Sequence, residues 1–213
     1  IMPSLVGSEM CIRDRINMGE QLFQLDKDEV LRKLDEKVRL IFLCSPNNPT
    51  GNLLDIDDIL EICKKAQGKS LVVVDEAYIE FSKSSSLSEE IEKYPNLVVL
   101  RTLSKAHGLA GLRAGVAIAQ SEIISALNKV RAPYPIPQPI CDFLIDYFKS
   151  NKLNELEANI QRIIIEKKRL ITTLEDMPFV DKILPSSANF LLVKFRDPQN
   201  IMKATQALSL IHI

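Results

Sequence analysis

Three short stretches carry side chains able to do chemistry together: "SPNNPTG" at 45–51, "DEAY" at 75–78 and "RTLSKAHGLAGLRAG" at 101–115. The last poses the sharpest question. Thr102 and Ser104 precede a lysine, Lys105, and Arg113 follows eight residues later. Two hydroxyls, an ammonium and a guanidinium suit an anion, and the arginine fork matches phosphate through two parallel hydrogen bonds. Anion binding alone does not explain the lysine. A lysine can also condense with an aldehyde to a Schiff base, which activates the aldehyde for exchange with an amine. Asp75 offers a carboxylate that can keep a pyridine nitrogen protonated, so that the ring draws electrons from a carbanion. Asn48 and Tyr78 offer an amide and a phenol, both able to hydrogen-bond a ring oxygen and stabilise its anionic form. Together the set suits an aromatic phosphate ester carrying an aldehyde.

Each stretch follows an apolar run that can position it. "RLIFLC" (39–44), "SLVVVD" (70–75) and "NLVVLR" (96–101) are short runs bounded by turn residues, the reading for buried strands, and "GVAIA" (115–119) is a fourth. Between the first two, Asp55 can cap a helix in which Ile56, Ile59, Leu60 and Cys63 recur at helical spacing. Strands separated by helices predict an α/β sheet covered on both faces. Ligands in such sheets bind beyond the carboxyl ends of the strands, so the three stretches converge on one crevice.

Beyond residue 120 the pattern turns helical. Ile123, Ile124 and Leu127 make one stripe and residues 139–149 another. A long amphipathic helix runs from about Lys152 to Glu175, with Leu153, Leu156, Ile160, Ile163, Ile164, Lys167, Leu170 and Leu174 along it. "NFLLVKF" (189–195) reads as a late strand, and "SKSSSLSEEIEK" (82–93) as a solvated loop leading into a short helix. The sheet region occupies 16–150, and the bridging helix with the start of a smaller domain occupies 151–207.

Composition narrows the function classes. Of 213 residues, 46% are hydrophobic and 26% charged, with a net charge of -1. Nothing in that balance favours nucleic acid or an acidic membrane surface as a partner. No apolar run approaches the roughly 20 residues of a membrane span, and the opening residues lack the pattern of a secretory signal. Cys11, Cys44, Cys63 and Cys141 form no C-x-x-C pair, and His107 and His212 are far apart, so neither zinc nor a disulfide framework is expected. Buried thiols in a reducing cytoplasm, with no metal, is the expectation.

The two ends share an origin. "MCIRDR" (10–15) back-translates to ATG TGT ATA AGA GAC AG, whose complementary strand reads CTG TCT CTT ATA CAC AT and encodes "LSLIH" of the closing "LSLIHI" (208–213). This DNA resembles a transposon-end adapter used in sequencing libraries, and "LVGSE" (5–9) fits the adjoining adapter. Residues 1–15 and 208–213 are therefore expected to be non-native, and the part between them to be truncated at both ends.

"SPNNPTG", "VVVDEAYIEF" and "RTLSKAHGLAGLRAG", in this order and spacing, resemble the fold-type I pyridoxal-phosphate aminotransferases. "VRAPYPIPQPICD" (130–142) and "PSSANFLLVKF" (185–195) narrow the resemblance, which covers 16–207, to the histidinol-phosphate aminotransferases. It implies a mixed, mostly parallel sheet between helices as the large cofactor-binding domain, followed by the start of a small C-terminal α+β domain. It implies pyridoxal 5'-phosphate as cofactor, bonded to Lys105, with Asp75 at the ring nitrogen, Asn48 and Tyr78 at the ring oxygen, and Thr102, Ser104 and Arg113 on the phosphate. Lys105, Asp75 and Tyr78 would be the catalytic set. The implied reaction converts histidinol phosphate and 2-oxoglutarate to imidazole-acetol phosphate and glutamate, in histidine biosynthesis, by a cytoplasmic homodimer when full length. The resemblance also implies cofactor and substrate groups outside this chain, so the chain as given is expected to be inactive.

Plainer readings stand beside these. Singly, Asn48 could be a turn former, Asp75 a loop cap, Tyr78 a half-buried core residue and Arg113 a partner for a surface carboxylate. Tyr134 and Asn189 are candidates for the substrate side, although Tyr134-Pro135 also reads as a rigid turn and Asn189 as a structural hydrogen-bonder at a strand start. His107 sits where the family has an aromatic or apolar residue and is expected to be a partly buried structural histidine. Related chemistry would make the chain an aromatic aminotransferase or a phosphothreonine decarboxylase. A different class, the cofactor-sensing domain of a transcription regulator, would need a basic DNA-binding module upstream.

Overall fold

The expected apolar runs form one sheet in the computed structural model, which describes residues 15, 16, 23–150 and 152–207. Strands β1 (Leu40–Cys44), β2 (Leu71–Asp75), β3 (Leu97–Thr102) and β4 (Gly115–Ala119) lie side by side in that order. The first three are parallel and β4 runs antiparallel to β3. This is the mixed, mostly parallel sheet that the resemblance implies. Cys44 pairs with Asp75, Asp75 with Leu100, and Thr102 with Gly115.

Side chains alternate between the faces of a sheet, so Leu43, Val72, Val74, Leu97 and Val99 share one face. They bury against Ile59, Ile62 and Cys63 of helix α2 (Ile56–Ala66) and form the main core. The helix starts where Asp55 accepts hydrogen bonds from the amides of Asp57 and Asp58, a cap worth about 1 kcal/mol. Acids in its first turn and lysines in its last complement the helix dipole. Its two fully buried isoleucines, Ile59 and Ile62, each contribute about 1.5–3 kcal/mol.

Asp75 and Thr102 lie on the opposite face. The centre of that face is closed at Val73 and Val98, while at the β1 margin Leu40 is 51% and Phe42 66% exposed among the described residues. The later helices lie elsewhere. Helix α3 (Ser121–Val130) packs against β4, and α5 (Lys152–Glu175) against the short turn Ile79–Phe81 and against α4 (Gln138–Lys149). The half-buried stripe of α5 is Leu156, Ile160, Ile164, Lys167, Ile171 and Leu174, so Leu153, Ile163 and Leu170 are exposed rather than facing inward.

A second, two-stranded sheet pairs β5 (Val180–Ile183) antiparallel with β6 (Val193–Phe195), and α6 (Pro198–Ala207) follows. The late strand is thus shorter than expected, because 189–192 belong to a loop held by side-chain hydrogen bonds. Asn189 consequently does not start a strand. A short helix, α1 (Lys27–Lys33), precedes the sheet and packs on α2. Nor is 82–93 simply solvated: Leu87 and Ile91 are buried, and Ser86 bonds to Glu76. The described cysteines are free, with Cys63 buried, Cys141 half-buried and Cys44 exposed at the end of edge strand β1, so burial does not extend to all of them. The adapter-like ends, apart from Arg15, lie outside the described residues, as do Cys11 and His212.

Gly51 closes the 45–51 loop at φ +77°, and a Cβ there would overlap the Ser186 side chain. Gly51→Ala is expected to cost about 1–3 kcal/mol from strained φ alone, with crowding added. Urea denaturation measures it; an unchanged midpoint would show that the loop yields freely.

Candidate active site

Asp75 ends β2, held on both sides by the ladder. The Ser45 amide donates to its carbonyl at 3.0 Å, and the next amide, Glu76, donates to the Leu100 carbonyl at 2.9 Å. Asp75 Oδ1 accepts from the Ala77 amide at 3.0 Å, which turns the chain toward Tyr78. Its Oδ2 has no hydrogen bond among the described residues, leaving one carboxylate oxygen for a cationic group. Cys44 faces it across the ladder, and partial desolvation, with the Asp75 charge added, pushes that thiol up.

Tyr78 and Asn48 meet. Asn48 Nδ2 donates to the Tyr78 hydroxyl at 2.9 Å, which leaves the phenol proton free to be donated elsewhere. The Tyr78 ring is buried edge-on against Phe190, with centroids 5.1 Å apart and planes at 87°. Lys105 Nζ lies 5.2 Å from the same ring centroid, a cation–π distance. Residues following β1, β2 and β3 are therefore brought to one place, as the strand-end argument requires.

Thr102 and Ser104 sit one step away. Thr102 Oγ1 accepts from the Ser104 amide at 3.1 Å, the short turn that a hydroxyl can form with the backbone two residues on. Gly108 N to Lys105 O (3.0 Å) and Leu109 N to Leu103 O (2.9 Å) close the loop that presents Lys105. Arg113, exposed and at φ 53°, donates Nη1 to the Ala110 carbonyl of its own turn at 3.1 Å. No hydrogen bond joins it to Thr102 or Ser104 among the described residues. Tyr134 is 94% exposed at φ 52°, and no hydrogen bond or ring contact joins it to the other candidates among the described residues. Asn189 is exposed, immediately before the Phe190 that packs on Tyr78.

Behind the strand ends lies a network that the sequence reading missed. Glu76, 2% exposed, accepts from Ser86 Oγ at 2.5 Å and from the Leu87 amide at 2.7 Å, and Arg101 Nη1 lies 3.7 Å away. Arg101 also donates Nη2 to Glu80 at 2.8 Å. Burial pushes the Glu76 carboxyl up, while its hydrogen-bond donors and Arg101 pull it back. The only signal available was alternation: a carboxylate next to Asp75 must face the other side of the sheet. The network ties the end of β2 to that of β3 from behind. His107 is half-buried as expected, its Nδ1 3.2 Å from the Tyr147 hydroxyl, and desolvation holds its imidazole below the usual value. It lines a cleft of about 470 Å³ with Lys105, Tyr147, Asn159 and Arg162. Among the described residues, no group of His, Cys, Asp and Glu could hold a metal, and no helix is long and apolar enough to cross a membrane.

The family model described as "Aminotransferase class I and II" matches residues 13–212. This chain belongs to that family. Its members are pyridoxal-phosphate-dependent enzymes. Among the chains it resembles, "Histidinol-phosphate aminotransferase 1" of Pasteurella multocida is 42% identical over 181 residues, covering 85% of this chain and 51% of that protein. The crystal structure of the histidinol-phosphate aminotransferase from Clostridium acetobutylicum matches with a TM-score of 0.76 at 27% identity, covering 84% of this chain and 54% of that one. That from Sinorhizobium meliloti, in complex with pyridoxal-5'-phosphate, matches at 0.67 and 25% identity, covering 78% and 44%. This aminotransferase-family chain spans about half the length of the curated relatives it matches.

Proposed function

We propose that the chain forms the cofactor-holding part of a histidinol-phosphate aminotransferase, which moves an amino group from histidinol phosphate to 2-oxoglutarate and releases imidazole-acetol phosphate and glutamate. The observation that carries this reading is the meeting of Asn48, Tyr78 and Lys105 beyond three strand ends, with Asp75 ending the central one and keeping one oxygen without a hydrogen bond among the described residues. The donor set fits pyridoxal phosphate: an amine, a carboxylate, a phenol with a free proton, two hydroxyls and a guanidinium. When bound, the cofactor supplies an aldehyde for amino exchange and a ring that takes up electrons.

Everything else falls to the chain's own side chains. Asp75 holds a proton on the ring nitrogen. The Tyr78 hydroxyl, held by Asn48 Nδ2, donates toward the ring oxygen and stabilises its negative charge. Thr102, Ser104 and Arg113 hold the phosphate, and the free positions of the Arg113 guanidinium suit its oxygens. Lys105 Nζ would hold the cofactor's aldehyde, and as a free amine it would take the proton from the substrate α-carbon and give it back. Tyr134 and Asn189 are assigned to the substrate side, and the complete protein is assigned to a cytoplasmic homodimer.

The test is the protein expressed from its complete gene, assayed with 2-oxoglutarate and histidinol phosphate. Specificity of roughly a hundredfold or more over phenylalanine is expected, because a site built for a phosphate leaves its groups unpaired without one. Equal use of phenylalanine would sink the substrate assignment, and release of carbon dioxide from phosphothreonine would replace it.

A further inference from the structure

One half-buried cation takes no part in the chemistry above. Lys167 lies within the inward stripe of α5, half-buried, with no carboxylate in ion-pair range among the described residues. Its Nζ donates to two backbone carbonyls instead, Ser186 at 2.8 Å and Ala188 at 2.6 Å. An ammonium that gives up water must find such partners, and successive carbonyls aimed at one point need a cation to be stable together. Desolvation pushes the Lys167 amine below its usual value, as expected where no acid compensates it.

The loop that Lys167 grips is knitted further by its own side chains. Ser186 Oγ donates to the Phe190 carbonyl at 2.6 Å and accepts from the Ala188 amide at 3.1 Å. Leu184 N to Leu192 O, at 2.9 Å, closes its stem. On its outer side the Ser187 amide donates to the Gly51 carbonyl at 2.7 Å, so the loop rests directly on the segment that carries Asn48. Gly51 has no room for a side chain there. At its end, Phe190 meets the Tyr78 ring edge-on, and Ala188 is buried with Tyr78, Phe81 and Ile160 in one small cluster. The loop thus packs on Tyr78 through Phe190 and bonds Gly51, three residues beyond Asn48.

We infer that Lys167 is a positioning residue for the ring-oxygen pair, setting Tyr78 and Asn48 through the loop 185–190 that it holds by two carbonyls. This rests on the cofactor reading above and extends it to a side chain far along the sequence. The lysine touches neither Tyr78 nor Asn48. It fixes the strut between them, so that the phenol and the amide arrive together. Without the ammonium, the Ser186 and Ala188 carbonyls lose their shared donor, Phe190 is released from its place and the Tyr78 ring loses one wall.

The experiment uses the protein from its complete gene with Lys167→Met, which keeps length and removes the donors, and Lys167→Arg, which keeps two donors. In the cofactor-free protein, amide exchange at 187–190 and at 78–82 is expected to rise about tenfold in Lys167→Met. After addition of pyridoxal phosphate, the pH midpoint of the visible absorbance is expected to rise by about half a unit or more, because fewer donors hold the negative charge on the ring oxygen. Lys167→Arg is expected to return both readings most of the way to wild type. A lower melting temperature in Lys167→Met, with wild-type exchange at 78–82 and an unmoved midpoint, would reduce Lys167 to a structural lysine and overturn the inference. If Lys167→Met does not fold, Ser186→Ala loosens the same loop without removing the cation. A smaller rise of the same sign then supports the proposal, and no rise overturns it. Failure of the wild-type protein to take up pyridoxal phosphate at all would instead remove the cofactor reading. The exchange arm would still decide whether Lys167 governs Tyr78.

Discussion

Lys105→Ala, made in the protein from its complete gene, is expected to abolish covalent attachment of pyridoxal phosphate and to leave at most a trace of transamination. Lys105 Nζ is the amine that the structure sets against Tyr78, on the loop opened by Thr102 and Ser104. On the proposed function two roles would be lost at once. The anchor for the aldehyde disappears, and so does the group that carries the proton to and from the α-carbon, a role worth about 10²–10⁴-fold on its own. Borohydride reduction of the wild-type protein followed by peptide mapping provides the direct check, with the label expected on the peptide containing Lys105. Label on another lysine would overturn the assignment, whatever the activity of the variant.

Asp75→Asn is the second large effect, and it separates binding from chemistry. The amide keeps the shape of the side chain, and its oxygen can still accept from the Ala77 amide as Asp75 Oδ1 does. The protein is therefore expected to fold and to retain cofactor. A neutral amide cannot hold the ring nitrogen protonated, so turnover is expected to fall by about 10²–10³-fold, roughly 2.7–4 kcal/mol in the barrier, as for loss of a preorganised electrostatic partner. Single-turnover kinetics with bound cofactor isolate the chemical step. A near-normal rate in that measurement would make Asp75 a strand-end residue and nothing more.

The parts of this site that were legible in the sequence are those that depend on strand ends. β1 to β4 were readable because each is a continuous apolar run bounded by turn residues, and a chain that must place Asn48, Asp75 and Lys105 after such runs leaves little freedom in where they meet. β5, by contrast, is "VDKI", four residues with two exposed charges, and no apolar run announces it. The late strand was overextended for a related reason. "NFLL" has the composition of a strand, but Ser186 and Lys167 offer its neighbourhood alternative hydrogen bonds, and side chains that bond nearby backbone compete with the ladder. Lys167 itself was visible only as a charged interruption in an apolar stripe. Its two carbonyl partners lie 19 and 21 residues away, a pairing that no local pattern encodes. Glu76 was hidden differently, beside a residue that drew attention for its chemistry. The seven-residue helix α1 leaves too few turns for periodicity to separate it from loop.

Asp75 and Glu76 are consecutive carboxylates differing by one methylene, yet one faces the proposed cofactor crevice and the other is sealed in behind it with Ser86, Leu87 and Arg101. What distinguishes them is parity along the chain, odd toward the crevice and even away from it. Sheet register therefore acts as an address for charge. A slip of one residue in β2 that carries Glu76 into the place of Asp75 would put the longer arm in front and leave Asp75 in the place of Val74, short of the donors behind. Two errors would follow from one displacement, an overreaching acid in front and unanswered donors at the back. The buried glutamate thus opposes such a slip, and in doing so guards the placement of the aspartate beside it.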